Sequence, residues 1–214
     1  MGISEAMLGR AAKLSAASLY EAAGRKGCLP AKIKPLAPSM RACGPAYPVR
    51  CAEGNNLPIH QALASARSGD VLVVSVEGDP EFGFWGEVMA TAAIARGVAG
   101  IILNGGVRDS LRLIDLGLPT FSENVSIRGT AKDLFPSKTA VGEPVCLGDA
   151  HVCPGDLVLG DADGVVVLAP EVACVAIPAA EQRDLKELKI LDRIRNGALT
   201  LDIYKLPVVR EIHP

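Results

Sequence analysis

Two apolar segments joined by an alanine-rich run, between residues 71 and 104, most constrain the fold of this chain. VLVVSV (71–76) is rich in β-branched residues and almost wholly apolar, as is typical of a strand buried on both faces. Residues 87–96 are rich in alanine and are followed by Gly97, which predicts a helix with a defined end. AGIILN (99–104) then predicts a second buried strand. Strand, helix and strand in this order predict a βαβ unit with parallel pairing and a right-handed crossover.

Further helices and short strands are predicted on both sides of this unit. The helices fall at residues 4–23 (interrupted or loosened near Gly9), 57–66, 110–116 and 179–196, the last ended by Gly197. The short strands fall at 145–147, 157–159 and 165–168.

Two stretches permit more than one interpretation. Five prolines between Leu29 and Pro48 favour an irregular connector, with residues 46–51 as an edge strand. DADG (161–164) favours a hairpin turn, and the alternative of a calcium loop lacks the downstream glutamate that such a loop needs. We expect residues 199–214 to form a tail that lies across another subunit.

Composition excludes several classes of partner. The 22 basic and 24 acidic residues give a net charge of −2, and 4% of residues are aromatic, so the chain shows neither the basic surplus nor the stacking platforms of a nucleic-acid-binding protein. No apolar run is long enough to span a membrane. None of the six cysteines forms a C-x-x-C pair, and the amino terminus lacks the apolar core of a secretory signal. We therefore expect a cytoplasmic protein with free thiols and no zinc site.

A glycine turn after the second buried strand carries the residues best suited to chemistry. Gly105-Gly106 is followed by Arg108 and Asp109, and Asp109 precedes the predicted helix 110–116. Arginine binds a carboxylate through two parallel hydrogen bonds, and aspartate oxygen suits a hard cation such as Mg2+. On spacing alone, an equally good interpretation makes Asp109 an ordinary N-cap and Arg108 its surface neighbour.

The helix that begins after Gly86 provides a second element of a site. Its first backbone N–H groups have no partner within the helix, so a carboxylate or a phosphate can bind there. His60, on the predicted helix 57–66, is a further candidate, although a lone histidine on a short helix more often has a structural role.

Several motifs along most of the chain resemble those of the RraA-like family. They are WGEV (85–88), GGVRD (105–109), LGLPTF (116–121) and SIRGTAK (126–132), together with GNNLPIHQAL (54–63), SGDVLVV (68–74) and PGDLVLGDADGVVVL (154–168). The resemblance is closest to the 4-hydroxy-4-methyl-2-oxoglutarate/4-carboxy-4-hydroxy-2-oxoadipate aldolases of that family. It implies an α/β fold, namely a single RraA-like domain over residues 1–214. Such a domain is a swivelling β/β/α, phosphohistidine-domain-like sandwich with a long C-terminal helix.

The resemblance also implies a function. We expect an aldolase that requires Mg2+ or Mn2+ and cleaves a 4-hydroxy-2-oxo acid to pyruvate and a second 2-oxo acid, with oxaloacetate decarboxylation as a side activity. A dedicated oxaloacetate decarboxylase and a non-catalytic regulator of RNase E are the alternatives within the family. The family precedent further implies a homotrimer or a hexamer with active sites between subunits. A covalent Schiff-base mechanism would need an apolar environment around its lysine, which the polar sequence around Lys132 does not predict.

Particular residues take roles in this hypothesis. Asp109 is the predicted metal ligand, and Arg108, Glu87 and Glu187 are the predicted catalytic residues. The predicted substrate-binding residues are Gly86, Glu87, Val88, Met89, Arg108 and Lys132. By resemblance, a glutamate of the C-terminal helix enters the site of a neighbouring subunit. RDLKE (183–187) matches that segment, which makes Glu187 the first candidate and Asp184 the second.

Overall fold

The computed structural model describes residues 2–134 and 139–207. The helices are α1 (Glu5–Ala11), α2 (Ala16–Ala22), α3 (Leu57–Ser65), α4 (Glu87–Ala95), α5 (Ser110–Leu116), α6 (Pro170–Arg195) and α7 (Thr200–Tyr204). The strands are β1 (Lys34–Pro35), β2 (Ala42–Cys51), β3 (Val71–Val76), β4 (Gly83–Trp85), β5 (Gly100–Leu103), β6 (Gly106–Val107), β7 (Thr120–Ser122), β8 (Asn124–Val125), β9 (Ala140–Val141), β10 (Val145–Leu147), β11 (Ala150–Val152), β12 (Leu157–Gly160) and β13 (Val165–Leu168).

The main sheet has the strand order β1-β7-β5-β3-β2-β12-β13, with β9 paired to β2. Strands β2, β3, β5 and β7 are parallel neighbours, which confirms the parallel pairing predicted for the βαβ unit β3-α4-β5. Alternate residues of β3 enter different cores. Leu72 and Val74 face the core that contains α3 and α4, whereas Val71 and Val73 face the core that contains β10 and β11. Burial on both faces explains why this strand is apolar almost throughout.

Strand β2 is central in the sheet, and the prediction of an edge strand at residues 46–51 was wrong. Its first half pairs with β12 and its second half pairs with β3. The prolines are tolerated because of their positions. Pro45 immediately precedes Ala46, the first residue that pairs with β3. Pro48 lies between two hydrogen bonds on the other side of β2: the Ala46 N–H donates to the Asp156 carbonyl, and the Pro48 carbonyl accepts from the Gly142 N–H. Neither proline therefore removes a hydrogen bond from the ladder.

The interruption predicted near Gly9 falls later in the amino-terminal segment, where it separates two helices. Gly9 lies within α1, and the break falls at residues 12–15. Ser15 begins a new helix there, because its side chain accepts a hydrogen bond from the backbone N–H of Ser18. Both helices pack with α6 against β12 and β13 in a third apolar core.

The long C-terminal helix was predicted, but it begins nine residues earlier than expected, at Pro170. Pro178 lies inside it, although proline removes one helical hydrogen bond. Ala176, Ile177 and Ala180, around this proline, are buried in the third core, and this packing offsets the loss. Beyond them Leu185, Leu188 and Leu191 are exposed, so these leucines have no cover within the described chain.

The remaining predictions concern short elements. Strands β10, β12 and β13 form where they were expected, and the DADG segment joins β12 to β13 as an antiparallel hairpin, as predicted. Strand β4 was not predicted. It pairs with β6, which in turn pairs with β8, in a small separate sheet. Of the predicted tail, residues 200–204 form α7, and residues 208–214 lie outside the described part of the chain. The architecture is thus the predicted α/β sandwich with a long C-terminal helix.

Candidate active site

The centre of the candidate site is the amino terminus of α4. Gly86 is the N-cap residue of this helix and has no side chain with which to cap it. The carboxylate of Asp109 supplies the cap from a different part of the chain, because its Oδ2 accepts a hydrogen bond of 3.2 Å from the backbone N–H of Glu87. A negative charge is also favourable at this end of a helix.

The Asp109 carboxylate lies so close to the start of α4 that position 86 must be a glycine. A Cβ atom there would lie 2.6 Å from Asp109 Oδ2 and 3.1 Å from Arg108 Cγ. Such contacts are too short to be accommodated without movement of the Asp109 carboxylate, so the glycine allows helix and carboxylate to meet.

Asp109 precedes α5, but it does not act as an ordinary N-cap of that helix. Asp109 has a left-handed backbone conformation (φ 58°, ψ 36°) and makes no side-chain capping bond to α5. Its side chain is 43% exposed, and it lies 3.9 Å from the Nε of Arg108. The carboxylate therefore retains free acceptor positions towards solvent. This donor fits a Mg2+ or Mn2+ ion that is held through one protein carboxylate with water in its other positions.

No group of three or more histidine, cysteine, aspartate or glutamate side chains is arranged for a metal anywhere in residues 2–134 and 139–207.

Arg108 extends from the end of β6 beside this carboxylate. Its backbone N–H donates to the Trp85 carbonyl at 2.8 Å, which fixes the turn against β4. Half of its side chain is exposed. Its separation from Asp109 is too long for a hydrogen bond, so the guanidinium is available to a ligand.

A cavity of about 240 Å3 lies in front of these groups. It is lined by Asn56, His60, Gly83, Phe84, Trp85, Gly86, Val88, Met89, Arg108, Asp109 and Lys132. The structure therefore brings together six of the predicted site residues, which are Gly86, Val88, Met89, Arg108, Asp109 and Lys132. Glu87 contributes its backbone N–H to the same corner, but its exposed side chain does not line the cavity.

Lys132 reaches the cavity on a segment that is tied to the start of α3. The backbone N–H of Ala131 donates to the Gly54 carbonyl, and the Ala131 carbonyl accepts from Asn56. Burial lowers the pKa of His60, and the nearby positive charge of Lys132 lowers it further. Lys132 itself is exposed, so it lacks the apolar surroundings that a Schiff-base lysine needs.

Five residues of the cavity were missed or given less weight in the sequence interpretation, and three of them, Asn56, His60 and Trp85, have polar groups in their side chains. Asn56 is buried, and its Nδ2 donates to the Phe84 carbonyl at 3.0 Å. Trp85 is also buried, and its indole Nε1 has no hydrogen-bond partner among the described residues. His60, considered mainly structural, faces the same space. The sequence GNN (54–56) before α3 was the only local signal for Asn56, and its contacts across the cavity form only in the tertiary structure.

Glu187 does not meet the other predicted catalytic residues within one chain. It lines a groove of about 400 Å3 between α2, α6 and α7, together with Glu21, Arg183, Lys186 and Tyr204 among others. Asp184, the second candidate, accepts a hydrogen bond from the Ser18 hydroxyl and so joins α6 to α2. Only Glu187 of this pair lines an open groove, and its predicted role across a subunit boundary remains a prediction.

None of the helices within residues 2–134 and 139–207 combines the length and the apolar character needed to cross a bilayer.

Comparison with known proteins agrees with the fold. The model of the RraA-like family, described as Aldolase/RraA, matches residues 5–167. A protein of Halalkalibacterium halodurans, provisionally named 4-hydroxy-4-methyl-2-oxoglutarate aldolase, is 34% identical over 195 residues, which are 87% of this chain and 86% of that protein.

Solved structures share the fold. An uncharacterized protein from Pseudomonas syringae pv. tomato superposes with a TM-score of 0.80 at 26% identity, covering 93% of this chain and 96% of that one. The RNA-processing inhibitor RraA from Thermus thermophilis superposes with a TM-score of 0.66 at 25% identity, covering 74% of this chain and 93% of that one. The chain belongs to the RraA-like family, as its motifs predicted.

Proposed function

We propose that this chain is a divalent-metal-dependent aldolase that cleaves a 4-hydroxy-2-oxo acid with two or three carboxylates into pyruvate and a second 2-oxo acid. One observation carries the proposal: the Asp109 carboxylate caps α4 beside Arg108, and Lys132 lines the same cavity. A metal ligand, a free arginine and a second cation together suit a substrate with several carboxylates. The name of the Halalkalibacterium halodurans relative supports the same reaction.

Asp109 is the residue that would hold Mg2+ or Mn2+. When bound there, such an ion would supply a Lewis acid that withdraws electrons from the C2 carbonyl of the 2-oxo acid.

The side chains and backbone of the chain perform the other tasks. Backbone N–H groups at the start of α4, those of Gly86, Val88 and Met89, orient the carboxylate next to the 2-oxo group, whereas the Glu87 N–H binds Asp109. When the C3–C4 bond breaks, its electron pair moves towards the C2 oxygen, and Arg108 stabilises the negative charge that develops there. Lys132 binds a carboxylate at the other end of the substrate.

Two protons move during the reaction. The C4 hydroxyl loses one as the second 2-oxo acid forms, and C3 gains one as pyruvate forms. We propose Glu187 of a neighbouring chain and Glu87, at the first position of α4, as the proton carriers. The Glu87 side chain is exposed and does not line the cavity of a single chain, so its role depends on the assembled site.

Exposed apolar side chains support a site between subunits. Val88, Leu111 and Ile127, on the elements that carry the site, are 79%, 76% and 96% exposed. Leu185 and Leu188, which flank Glu187 on α6, are also exposed. If these two surfaces of neighbouring copies meet, Glu187 approaches the Asp109 corner of the next copy. Such a heterologous contact, repeated with a rotation that closes, forms a ring. We propose a homotrimer or a pair of trimers.

Oxaloacetate decarboxylation is the second candidate, because its enolate product needs the same metal ligand and the same arginine. The Thermus thermophilis neighbour is named an RNA-processing inhibitor, and a regulator without catalysis is a third candidate. Such a regulator would need neither Asp109 nor Arg108 in this arrangement.

The test is pyruvate release from a panel of 4-hydroxy-2-oxo acids and from oxaloacetate, each with Mg2+, with Mn2+ and without metal. We expect cleavage of a hydroxylated substrate to exceed oxaloacetate turnover. The reverse ranking would favour the decarboxylase, and no turnover of any substrate would favour the regulator.

A further inference from the structure

Asn56 connects two walls of the candidate active site, and the proposed function assigns it no task. Its Nδ2 donates to the Phe84 carbonyl at 3.0 Å and lies 3.5 Å from Met89 Sδ. Its backbone N–H donates to the Ala131 carbonyl at 3.2 Å. Phe84 and Met89 flank the amino terminus of α4, and Ala131 precedes Lys132. Asn56 therefore binds both walls of the cavity, the one that carries the α4 amino terminus and the one that carries Lys132.

The orientation of Asn56 is unfavourable for stability. Asn56 is the N-cap residue of α3 but makes no side-chain capping bond, and Asn55 accepts from the Leu57 N–H in its place. The buried Oδ1 of Asn56 has no hydrogen-bond partner among the described residues. An unused cap and an unpaired buried oxygen both cost free energy. Local inconsistencies of this kind are expected where a residue serves function more than stability.

We propose that Asn56 is a positioning residue that fixes the separation between the α4 amino terminus and Lys132, and so sets the length of dicarboxylate that the site accepts. This inference rests on the proposed function, in which each end of the cavity binds a carboxylate. Arg108 and the α4 N–H groups bind one end, and Lys132 binds the other. Release of either wall from Asn56 would let this separation vary, and the site would then accept several lengths.

Binding of saturated dicarboxylates tests the proposal without any need for turnover. Malonate, succinate, glutarate and adipate are titrated calorimetrically into the protein in Mg2+ buffer. The variants are Asn56→Ser, a good N-cap residue that is too short to reach Phe84, and Asn56→Asp, which keeps the size but has no donor for the Phe84 carbonyl. Gln61→Ser, on the exposed side of α3, is the control.

We expect the wild type and the Gln61→Ser control to bind one length at least about tenfold more tightly than its neighbours. In both Asn56 variants the preference should fall to within about threefold. The melting temperature of Asn56→Ser should stay near the wild-type value, because serine is a favourable N-cap residue, whereas Asn56→Asp buries a carboxylate against the Phe84 carbonyl and should melt at a lower temperature. Asn56→Asp should also weaken all lengths together through its added negative charge.

Two results would overturn the proposal. One is a folded Asn56→Ser protein that keeps the wild-type length preference, and the other is a wild type that binds all lengths equally. If Asn56→Ser does not fold, the isosteric Asn56→Asp variant decides by the same criterion. A wild type with a clear length preference that releases no pyruvate would reject the aldolase proposal and leave the positioning role standing.

Discussion

At the scale of single residues, Arg108 is the side chain whose chemistry matters most to the proposed reaction. Arg108→Lys keeps the positive charge but loses the planar pair of donors. We expect kcat to fall by at least about a hundredfold, because the charge that Arg108 stabilises develops only in the transition state. Steady-state kinetics with the best substrate measures this. A rise in KM at an unchanged kcat would assign Arg108 to substrate binding alone.

Gly86 gives a second prediction at this scale, since it acts by the absence of a side chain. In Gly86→Ala the new Cβ would meet Asp109 Oδ2 at 2.6 Å and displace the carboxylate from the α4 amino terminus. We expect activity to fall by at least about tenfold, because small displacements of catalytic groups are costly. Gly129→Ala is the control, because a Cβ there meets nothing within 4 Å. Equal activity of the two folded variants would contradict the geometry described for this corner.

At the scale of elements, helix α3 carries a pH-sensitive contribution to stability. Burial and the charge of Lys132 lower the pKa of His60 below its ordinary value of 6.5. Above pH 6.5 the histidine is neutral in the folded and the unfolded chain, so its contribution is constant. As the pH falls below 6.5 the unfolded chain gains the proton first, and the folded state loses stability.

This reasoning predicts that wild-type stability decreases more steeply than that of His60→Gln as the pH falls below 6.5. Urea unfolding of both proteins across a pH series measures the difference. Parallel curves for the two proteins would mean that His60 has the same pKa in the folded and the unfolded chain.

The elements that were predicted from sequence are those whose signals are local. The glycines that end α4 and α5, and the apolar runs of β3 and β5, act over neighbouring residues, so these elements form where they were expected. The errors at β2 and at the start of α6 share a cause. Each contains prolines that a strand or helix tolerates only in a particular tertiary setting, namely a gap between partner strands or a well-packed core.

The candidate site divides in the same way. Arg108 and Asp109 lie in one local motif and were identified from it, whereas Asn56 reaches the site through a hydrogen bond to Phe84, 28 residues away. The link from Asp109 to α4 across 22 residues was likewise invisible in the sequence, although both ends of it had been singled out.

At the scale of the whole molecule, the exposed leucines of α6 and the isolated position of Glu187 lead to a prediction about assembly. Asp109→Ala and Glu187→Gln should each inactivate the protein. After dissociation and joint reassembly in equal amounts, about a quarter of the intersubunit sites would carry neither lesion. We expect about that fraction of wild-type activity to return, as measured by pyruvate release. No recovery in confirmed mixed oligomers would remove Glu187 from a neighbouring site.

The most direct test of the central claim is the metal dependence of pyruvate release by the wild type and by Asp109→Asn. Asparagine retains an oxygen that can cap α4, so the variant should unfold like the wild type, but it lacks the charge that holds a divalent cation. We predict that EDTA abolishes wild-type cleavage without unfolding the chain, that Mg2+ restores it, and that folded Asp109→Asn remains inactive at any Mg2+ concentration tested. Cleavage that survives exhaustive EDTA treatment, or a fully active Asp109→Asn protein, would contradict the account.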